Sequence, residues 1–288
     1  MSFASIMMNY MFAKGDAKRD KAIPIPEGVT ECTDIQYYNG SRFLTDVYYP
    51  EGTMEALPTI VSIHGGGYVY GSKKIYRRYC MDLARRGFAV VNFNYRLAPK
   101  SKFPAPLEDT NRVMEWICAN ADKYYLSPDK LFIVGDSAGA QLASQYAAIW
   151  SNKEYAKLFD FTVPDINIRA LGLNCGGYDL TENAKRERKG IQKDYLGNLA
   201  PNDPRFDSLG AIGEGFPPAH ITSAHNDFLK PAAQPMCDLL KERGLEAECH
   251  IYGAEEKKEV AHVFHVNIIL DEAKACNDDQ TDFFKSKL

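Results

Sequence analysis

Residues 131–139 read LFIVGDSAG, in which a short apolar run leads into a G-x-S-x-G pentapeptide centred on Ser137. The run predicts a buried strand, and the residues after it predict a helix that begins near Ala138. Between a strand and a helix, this pentapeptide is typical of a nucleophile elbow, a strained turn that lifts the serine oxygen clear of the sheet. The first helical amides then lie where they can bind a developing oxyanion. A turn with an incidental serine is the alternative, and the strand–turn–helix context disfavours it.

A glycine-rich loop follows another strand-like run earlier in the chain. Residues 59–63 read TIVSI, and HGGG follows at 64–67. Three consecutive glycines leave no side chains to keep a carbonyl group away from the backbone amides. In lipases and esterases a loop of this type supplies oxyanion-hole amides. A glycine run alone could be a flexible turn, but two motifs that each follow a strand favour an oxyanion hole formed by Gly66, Gly67 and Ala138.

Three sequence motifs together resemble one known family. They are HGGGY at 64–68, YRLAP at 95–99 with FPA at 103–105 and Asp109, and GDSAG at 135–139. With these motifs the chain resembles the hormone-sensitive-lipase-like family of α/β-hydrolases. The similarity extends from about residue 30 to the C-terminus and weakens after residue 150.

The resemblance implies both a fold and a chemistry. The expected fold class is α/β, an α/β-hydrolase fold whose mostly parallel eight-stranded sheet carries helices on both faces and a small helical cap. The expected reaction is serine-dependent hydrolysis of short- to medium-chain carboxylic esters through an acyl-enzyme, with no metal or organic cofactor. Two alternatives stay open: deacetylation of acetylated sugars or xylo-oligosaccharides, and binding of a small ligand without catalysis.

Composition excludes several other classes of protein. A chain of 288 residues can form one domain over residues 1–288. A net charge of −4 does not favour nucleic-acid binding. No apolar run approaches the ~20 residues that span a membrane, and the N-terminus lacks signal-peptide features. The seven cysteines are odd in number and show no C-x-x-C spacing, which predicts reduced thiols in a cytoplasmic protein and no zinc site.

Apolar runs and helical patterns alternate along most of the chain. Strands are predicted at 34–38, 43–49, 59–63, 88–92, 130–134, 169–174, 219–223 and 246–252. Helices are predicted at 74–86, 107–124, 138–150, 232–243 and 264–274. This alternation favours a parallel sheet covered on both faces. The first two strands have no helix between them, so they should pair antiparallel at one edge.

Two segments fall outside this alternation, residues 1–28 and 181–218. In the first, a helical apolar stripe is formed by Phe3, Ile6, Met7, Tyr10 and Met11. The second is polar and irregular, with a short helix predicted near 188–196. The resemblance implies that both segments form the cap over the site. For the first, a helix packed on the core without a role in substrate binding is the alternative, and membrane-surface anchoring is disfavoured because basic residues do not line its opposite face.

A serine nucleophile needs a histidine base, which in this fold follows the serine and the acid in the chain. His220 and His250 lie in predicted strands, which indicates structural or surface roles. His262 and His265 remain, and the family's pattern of histidine, any residue and phenylalanine matches His262. His265 is predicted to lie inside the final helix. The expected base is therefore His262, and activity should fall below about pH 6.5 if it titrates as an ordinary histidine.

The expected acid is Asp227, which follows the predicted strand at 219–223 where the family places its carboxylate. An N-cap role is the alternative for an aspartate before a helix. The family pattern usually continues with proline, whereas this chain has Phe228. Its surroundings are therefore expected to differ from those in the family.

Further residues are expected to support the site rather than react. Asp136 should bond to neighbouring loops, and His64 and Gly65 should brace the glycine loop. Arg96 and Asp109 are expected to form a structural ion pair. The resemblance also allows a homodimer through the predicted edge strand at 246–252. The partner that the chemistry requires is a small-molecule ester, which Tyr68 and Tyr70 could contact with both ring and hydroxyl.

Overall fold

The computed structural model describes residues 1–185 and 188–288, which form one eight-stranded sheet with helices on both faces. The strands are β1 Val29–Gln36, β2 Leu44–Pro50, β3 Leu57–Ile63, β4 Ala89–Phe93, β5 Leu126–Asp136, β6 Ile168–Asn174, β7 Ala219–Ala224 and β8 Ala247–Tyr252. The helices are α1 Phe3–Ala22, α2 Lys73–Ala84, α3 Ala105–Asn120, α4 Ala138–Ser151, α5 Lys153–Ala156, α6 Leu180–Lys185, α7 Gly190–Leu196, α8 Ser208–Ala211, α9 Ala233–Glu242 and α10 Asp271–Lys285.

The sheet order is β1-β2-β4-β3-β5-β6-β7-β8. Strands β3 to β8 run parallel, and the predicted antiparallel pairing of the first two strands is confirmed. Strand β2 also pairs antiparallel with β4. Ile63 of β3 lies opposite Gly135 of β5, so the glycine loop and the serine turn leave the same edge of the sheet from neighbouring strands.

Both faces of the central strands are buried, which explains their mostly apolar sequence. Val61 and Ile133 pack into the core on one face of the sheet. Ile60 and Phe132 alternate with them and pack into a second core on the other face, beneath α2 and α10. A buried platform of this kind holds the loops at the carboxyl edge in place.

The predicted helix at 264–274 is wrong in its bounds. Val263 has a left-handed backbone (φ 62°), and Phe264–Val266 form a single 3₁₀ turn before α10 begins at Asp271. His265 therefore lies in that turn, buried against Tyr79, rather than inside the final helix.

The N-terminal stripe does not pack on the core. Its five apolar side chains are exposed, because α1 contacts the protein through its other face. In the second irregular segment α7 lies close to its predicted position, whereas residues 186 and 187 fall outside the described residues. No helix in the described ranges combines the length and apolarity needed to cross a bilayer.

Candidate active site

Ser137 sits in a strained turn between β5 and α4. Its backbone angles are φ 52° and ψ −117°, which few residues with a side chain adopt. The Ser137 amide donates to the carbonyl of Asn174 on β6 (2.9 Å), and this bond helps to fix the turn. Its side chain makes no capping bond to α4 and is partly exposed. The hydroxyl is therefore presented outward, as the elbow motif predicts.

The glycines on either side of Ser137 are required by close backbone approach. A methyl group on Gly139 would overlap the carbonyl oxygen of Ile63, and one on Gly135 would overlap that of Gly139. These contacts are with backbone atoms, which cannot rotate away as a side chain can. The elbow can thus lie against β3 only with glycine at both positions.

We expect Gly139→Ala to lower the free energy of unfolding by about 2–3 kcal/mol, since overpacking against rigid backbone must displace β3 or α4. Urea unfolding of the purified variant measures this change. Gly213→Ala is the matched control, because nothing lies within 4 Å of a methyl group at Gly213. Equal stability of the two variants would contradict the steric requirement.

Asp227 and His262 form a hydrogen-bonded pair at the carboxyl edge of the sheet. The Nδ1 atom of His262 lies 2.7 Å from Oδ1 of Asp227. Two further donors hold the carboxylate, the Ser223 hydroxyl at 2.7 Å and the Leu229 amide at 2.9 Å. With Nδ1–H donating to the carboxylate, Nε2 of His262 is left as the acceptor. That is the tautomer a general base needs.

Burial of Asp227 by itself would raise its pKa. The hydrogen bond and charge of His262, together with the Leu229 amide and the Ser223 hydroxyl, outweigh burial and hold the pKa below its ordinary value. The carboxyl is therefore ionised near neutral pH. Beside it, the Phe228 ring packs on the imidazole of His262, with ring centroids 4.3 Å apart.

Ser137 and His262 line the same cavity, whose volume is about 250 Å³. Gly65, Gly66 and Asp136 also form part of its wall. Helix α1 supplies another part of the wall, and its lining residues are Phe12, Gly15, Asp16 and Arg19. The structure thus brings together most of the predicted site residues and adds a wall that the motifs did not reveal.

Gly67 and Ala138 do not themselves line the cavity, although each directly follows a residue that does, Gly66 or Ser137. Gly67 lies against Met8 of α1 and Ile191 of α7, with a left-handed backbone (φ 58°). Ala138 is buried at the start of α4, where its amide has no intrahelical acceptor. Gly66, also left-handed (φ 108°), turns its carbonyl toward the amides of Val69 and Tyr70.

His64 is fully buried beneath the glycine loop. Its ring stacks on Tyr95 with centroids 4.1 Å apart, and its Nδ1 lies 2.8 Å from the Gly65 carbonyl. Burial, assisted by the charge of Arg42, lowers the pKa of His64 to about 3. A neutral ring in this position supports the loop.

Asp136 is also buried behind the glycine loop. It accepts a hydrogen bond from the Tyr76 hydroxyl (2.7 Å), and that hydroxyl accepts one from the Gly65 amide (3.0 Å). Burial raises the pKa of Asp136 to about 7, although the bond from Tyr76 and the charge of His262 oppose the shift. Tyr76 is a positioning residue that the motifs gave no means of finding.

As the pH rises, we expect the free energy of unfolding of the wild type to fall relative to that of the Asp136→Asn variant. Below about pH 4 the carboxyl is protonated in both the folded and unfolded chains. Between about pH 4 and the folded pKa of about 7, only the folded chain keeps the proton. Each pH unit in this window should then lower the wild-type free energy of unfolding by about 1.4 kcal/mol more than that of the variant.

Urea unfolding across this pH range tests the shift at Asp136. Asp129→Asn, at an exposed position, is the control and should follow the wild type. If the free energies of unfolding of the wild type and Asp136→Asn changed in parallel with pH, the carboxyl of Asp136 would already be ionised in the folded chain.

Cys175 is a second contact that sequence reasoning missed. Its sulfur accepts a hydrogen bond from the Val263 amide (3.4 Å), next to His262, and its backbone is left-handed (φ 50°). The potential ligand atoms of Cys175, Asp227 and His262 lie within 4.8 Å of one another and could hold a metal ion. The same is true of a second group, His220, Glu248 and His250, at the β8 edge.

The predicted ion pair between Arg96 and Asp109 is present. The Nε atom of Arg96 lies 2.9 Å from both carboxylate oxygens, and the Arg96 amide donates to Oδ2 at 2.7 Å. Arg112 also pairs with the fully buried Asp109. The cluster holds the YRLAP turn against α3, away from the cavity.

The fold agrees with that of known proteins. A family model for the α/β-hydrolase fold matches residues 60–266. The chain therefore belongs to the α/β-hydrolase fold family, and the resemblance to its hormone-sensitive-lipase-like members is confirmed.

Individual relatives are similar at low identity. An acetyl esterase of Salmonella paratyphi B is 29% identical over 64% of this chain. The chain spans 59% of that relative's length, and 62% of the length of a mimivirus α/β hydrolase. Esterase B of Lactobacillus rhamnosis is 25% identical with a TM-score of 0.86, covering 96% of this chain and 92% of its own. A hyperthermophilic esterase of Pyrobaculum calidifontis is 26% identical with a TM-score of 0.75, covering 98% and 91%.

Proposed function

We propose that this protein is a serine hydrolase of short-chain carboxylic esters. The observation that carries the proposal is the 2.7 Å bond between His262 and Asp227, in a cavity that the elbow serine Ser137 also lines. Related proteins named acetyl esterase and esterase support the same reaction.

In the proposed mechanism, the Ser137 oxygen attacks the acyl carbon while Nε2 of His262 accepts its proton. Asp227 stabilises the imidazolium that forms. The amides of Gly66, Gly67 and Ala138 bind the oxyanion, and each such donor contributes around 3 kcal/mol to transition-state stabilisation. His262 then gives the proton to the leaving alkoxide as the ester C–O bond breaks. Water then attacks the acyl-enzyme while His262 accepts its proton. The bond between the acyl carbon and the Ser137 oxygen breaks, His262 returns the proton to Ser137, and the acid is released.

The size of the cavity supports a small acyl group. Its volume of about 250 Å³ lies below the ~300–1,000 Å³ of pockets that take drug-sized ligands. Among the relatives, one is named for an acetyl ester and another, from Dothistroma septosporum, for versiconal hemiacetal acetate. Esterase B has been crystallised with a tributyrin phosphonate.

We expect kcat/KM for p-nitrophenyl esters to peak between two and four acyl carbons and to fall at least about tenfold by eight carbons. Longer chains would have to displace Phe12 or leave apolar surface in water, since the wall is closed by α1. Steady-state assays across the series measure this profile. An optimum at eight or more carbons would contradict the proposed substrate class, while absence of turnover in a folded protein would favour silent ligand binding.

Deacetylation of a sugar ester is a second candidate, favoured by the polar wall of the cavity. Asp16, Arg19, Tyr70 and Glu259 line it, and their polar atoms could bond to hydroxyl groups. Of the two tyrosines expected to contact substrate, Tyr68 instead stacks on Tyr195 of α7. Acetate release from acetylated xylose, compared with p-nitrophenyl acetate, would separate the two candidates.

The proposal also covers the cap over the site, the cellular location of the protein and its assembly. We infer that α1 and residues 181–218 form the cap, because Ser5 of α1 donates to Asp194 of α7 (2.7 Å) and α1 walls the cavity. Seven free cysteines support a cytoplasmic location. A homodimer could form through the outer edge of β8.

A further inference from the structure

Helix α1 presents its polar side to the protein. Ser5 bonds to Asp194, and the Asn9 amide donates to the Val69 carbonyl at 3.3 Å. Further along the helix, Asp16 accepts a hydrogen bond from the Tyr70 hydroxyl at 2.7 Å, and Arg19 donates one to the Ile75 carbonyl at 2.7 Å. A surface helix normally buries its apolar side and exposes its polar side. In α1 only Met8 and Phe12 of the large apolar side chains contact the described part of the protein, and the other five lie on the solvent side.

The side of α1 that faces solvent is apolar in its first half. Its large side chains have exposed fractions of 78% for Phe3, 52% for Ile6, 45% for Met7, 69% for Tyr10 and 62% for Met11. Single exposed apolar residues are ordinary, but a contiguous patch on one element marks an interaction site.

The second half of the same side is basic. Phe3, Met7 and Tyr10 are followed at helical spacings of three and four by Lys14, Lys18 and Lys21, so all six share one side of α1. The three lysines are exposed, and none pairs with an acid in the described part of the chain. The acids Asp16 and Asp20 instead pair with Arg19. We call the five apolar residues and three lysines the outer face of α1.

We propose that the outer face of α1 binds an anionic lipid surface. Apolar side chains can enter the acyl boundary, while neighbouring lysines extend to anionic headgroups. Basic residues do not line the side of α1 opposite the apolar stripe. The structure explains why they are not needed there, because the opposite side of α1 is held by protein hydrogen bonds rather than by water.

A second copy of the chain fits this face less well than an anionic surface. The outer face carries three lysines and no acid, so a symmetric contact would bring cations together without counter-charges. The position of the face also suits a lipid surface. The inner side of α1 walls the cavity through Phe12, Asp16 and Arg19, so docking would hold the cavity about one helix diameter (~10 Å) from the lipid.

Vesicle flotation with the full chain tests the proposal. The Ser137→Ala variant is used throughout, so that lipid hydrolysis plays no part and failure of the proposed esterase reaction is a separate result. With vesicles of equal parts phosphatidylcholine and phosphatidylglycerol, we expect the protein to float and to be released by high salt. Vesicles of phosphatidylcholine alone should bind it about tenfold less, because they offer no partner for the lysines.

Two triple variants and their matched controls locate the binding surface. Phe3→Ser/Tyr10→Ser/Met11→Ser and Lys14→Glu/Lys18→Glu/Lys21→Glu should each reduce flotation at least about tenfold. Matched exchanges at exposed positions elsewhere should not; these are Met54→Ser/Ile251→Ser/Ile269→Ser and Lys130→Glu/Lys153→Glu/Lys241→Glu. Circular dichroism and thermal melting confirm that each variant is folded.

Three results would overturn the proposal. The first is no flotation at low salt, and the second is flotation that both α1 variants retain. The third is a dimer, detected by sedimentation, that Phe3→Ser/Tyr10→Ser/Met11→Ser dissociates, since that would assign the face to a second copy.

Discussion

Ser137→Ala should lower kcat for p-nitrophenyl acetate by about a factor of 10⁶, with KM changed much less. The methyl group cannot form an acyl-enzyme, and the strained turn holds no other hydroxyl at that point. What remains is the small acceleration from bound water and the oxyanion amides. Steady-state kinetics, with single-turnover measurement for the variant, determine the ratio.

A neighbouring serine provides the control for this loss. Ser144 lies two turns along α4, where its buried hydroxyl donates to the Gln141 carbonyl (3.0 Å). Ser144→Ala also removes a serine hydroxyl and should stay within about threefold of wild type, since a neutral hydrogen bond contributes only about 1 kcal/mol to stability. If Ser137→Ala kept activity within tenfold of wild type, the nucleophile would have to be another residue.

Asp227→Asn should lower kcat by about 10⁴ while leaving the fold intact. An asparagine amide at this position can donate to Nδ1 of His262, which then carries no proton and leaves Nε2 protonated. Such a ring cannot accept the Ser137 proton. Since the carboxylate also holds the Leu229 amide and the Ser223 hydroxyl, the asparagine oxygen can keep one of these bonds.

This substitution also separates the acid from the helix-cap alternative. A cap needs only an acceptor oxygen, which asparagine retains, so a capping aspartate would lose little activity on exchange. Kinetic assays compare Asp227→Asn with a control variant, Asp282→Asn. The control changes an exposed aspartate that pairs with Lys285. Loss of less than tenfold at Asp227 would assign it the structural role.

Most elements of the fold could be predicted, because hydrophobic periodicity is local to each segment. The apolar run at 131–134 predicts a buried strand, and in the structure its side chains pack alternately into the two cores. The end of the chain was harder to predict, since the left-handed turn at Val263 has no glycine to mark it. The sequence pattern therefore predicts the start of α10 several residues too early.

The N-terminal helix shows a second limit of local patterns. The stripe from Phe3 to Met11 has the spacing of a buried face, yet it is exposed. Which side of a helix is buried depends on the groups that the rest of the protein places against it. Here Asp194, Tyr70 and the carbonyls of Val69 and Ile75 satisfy the polar side of α1.

The sequence by itself determined the fold family, the elbow serine and the glycine loop, because each depends on a few adjacent residues of fixed type. The family pattern also predicts His262 as the base, but only the tertiary structure shows its contact with Asp227. His262 reaches it at 2.7 Å, whereas His265, three positions on, is buried against Tyr79. It also decided that Tyr76, Cys175 and α1 surround the site. These contacts join residues that are far apart in the chain, so no local pattern in the sequence predicts them.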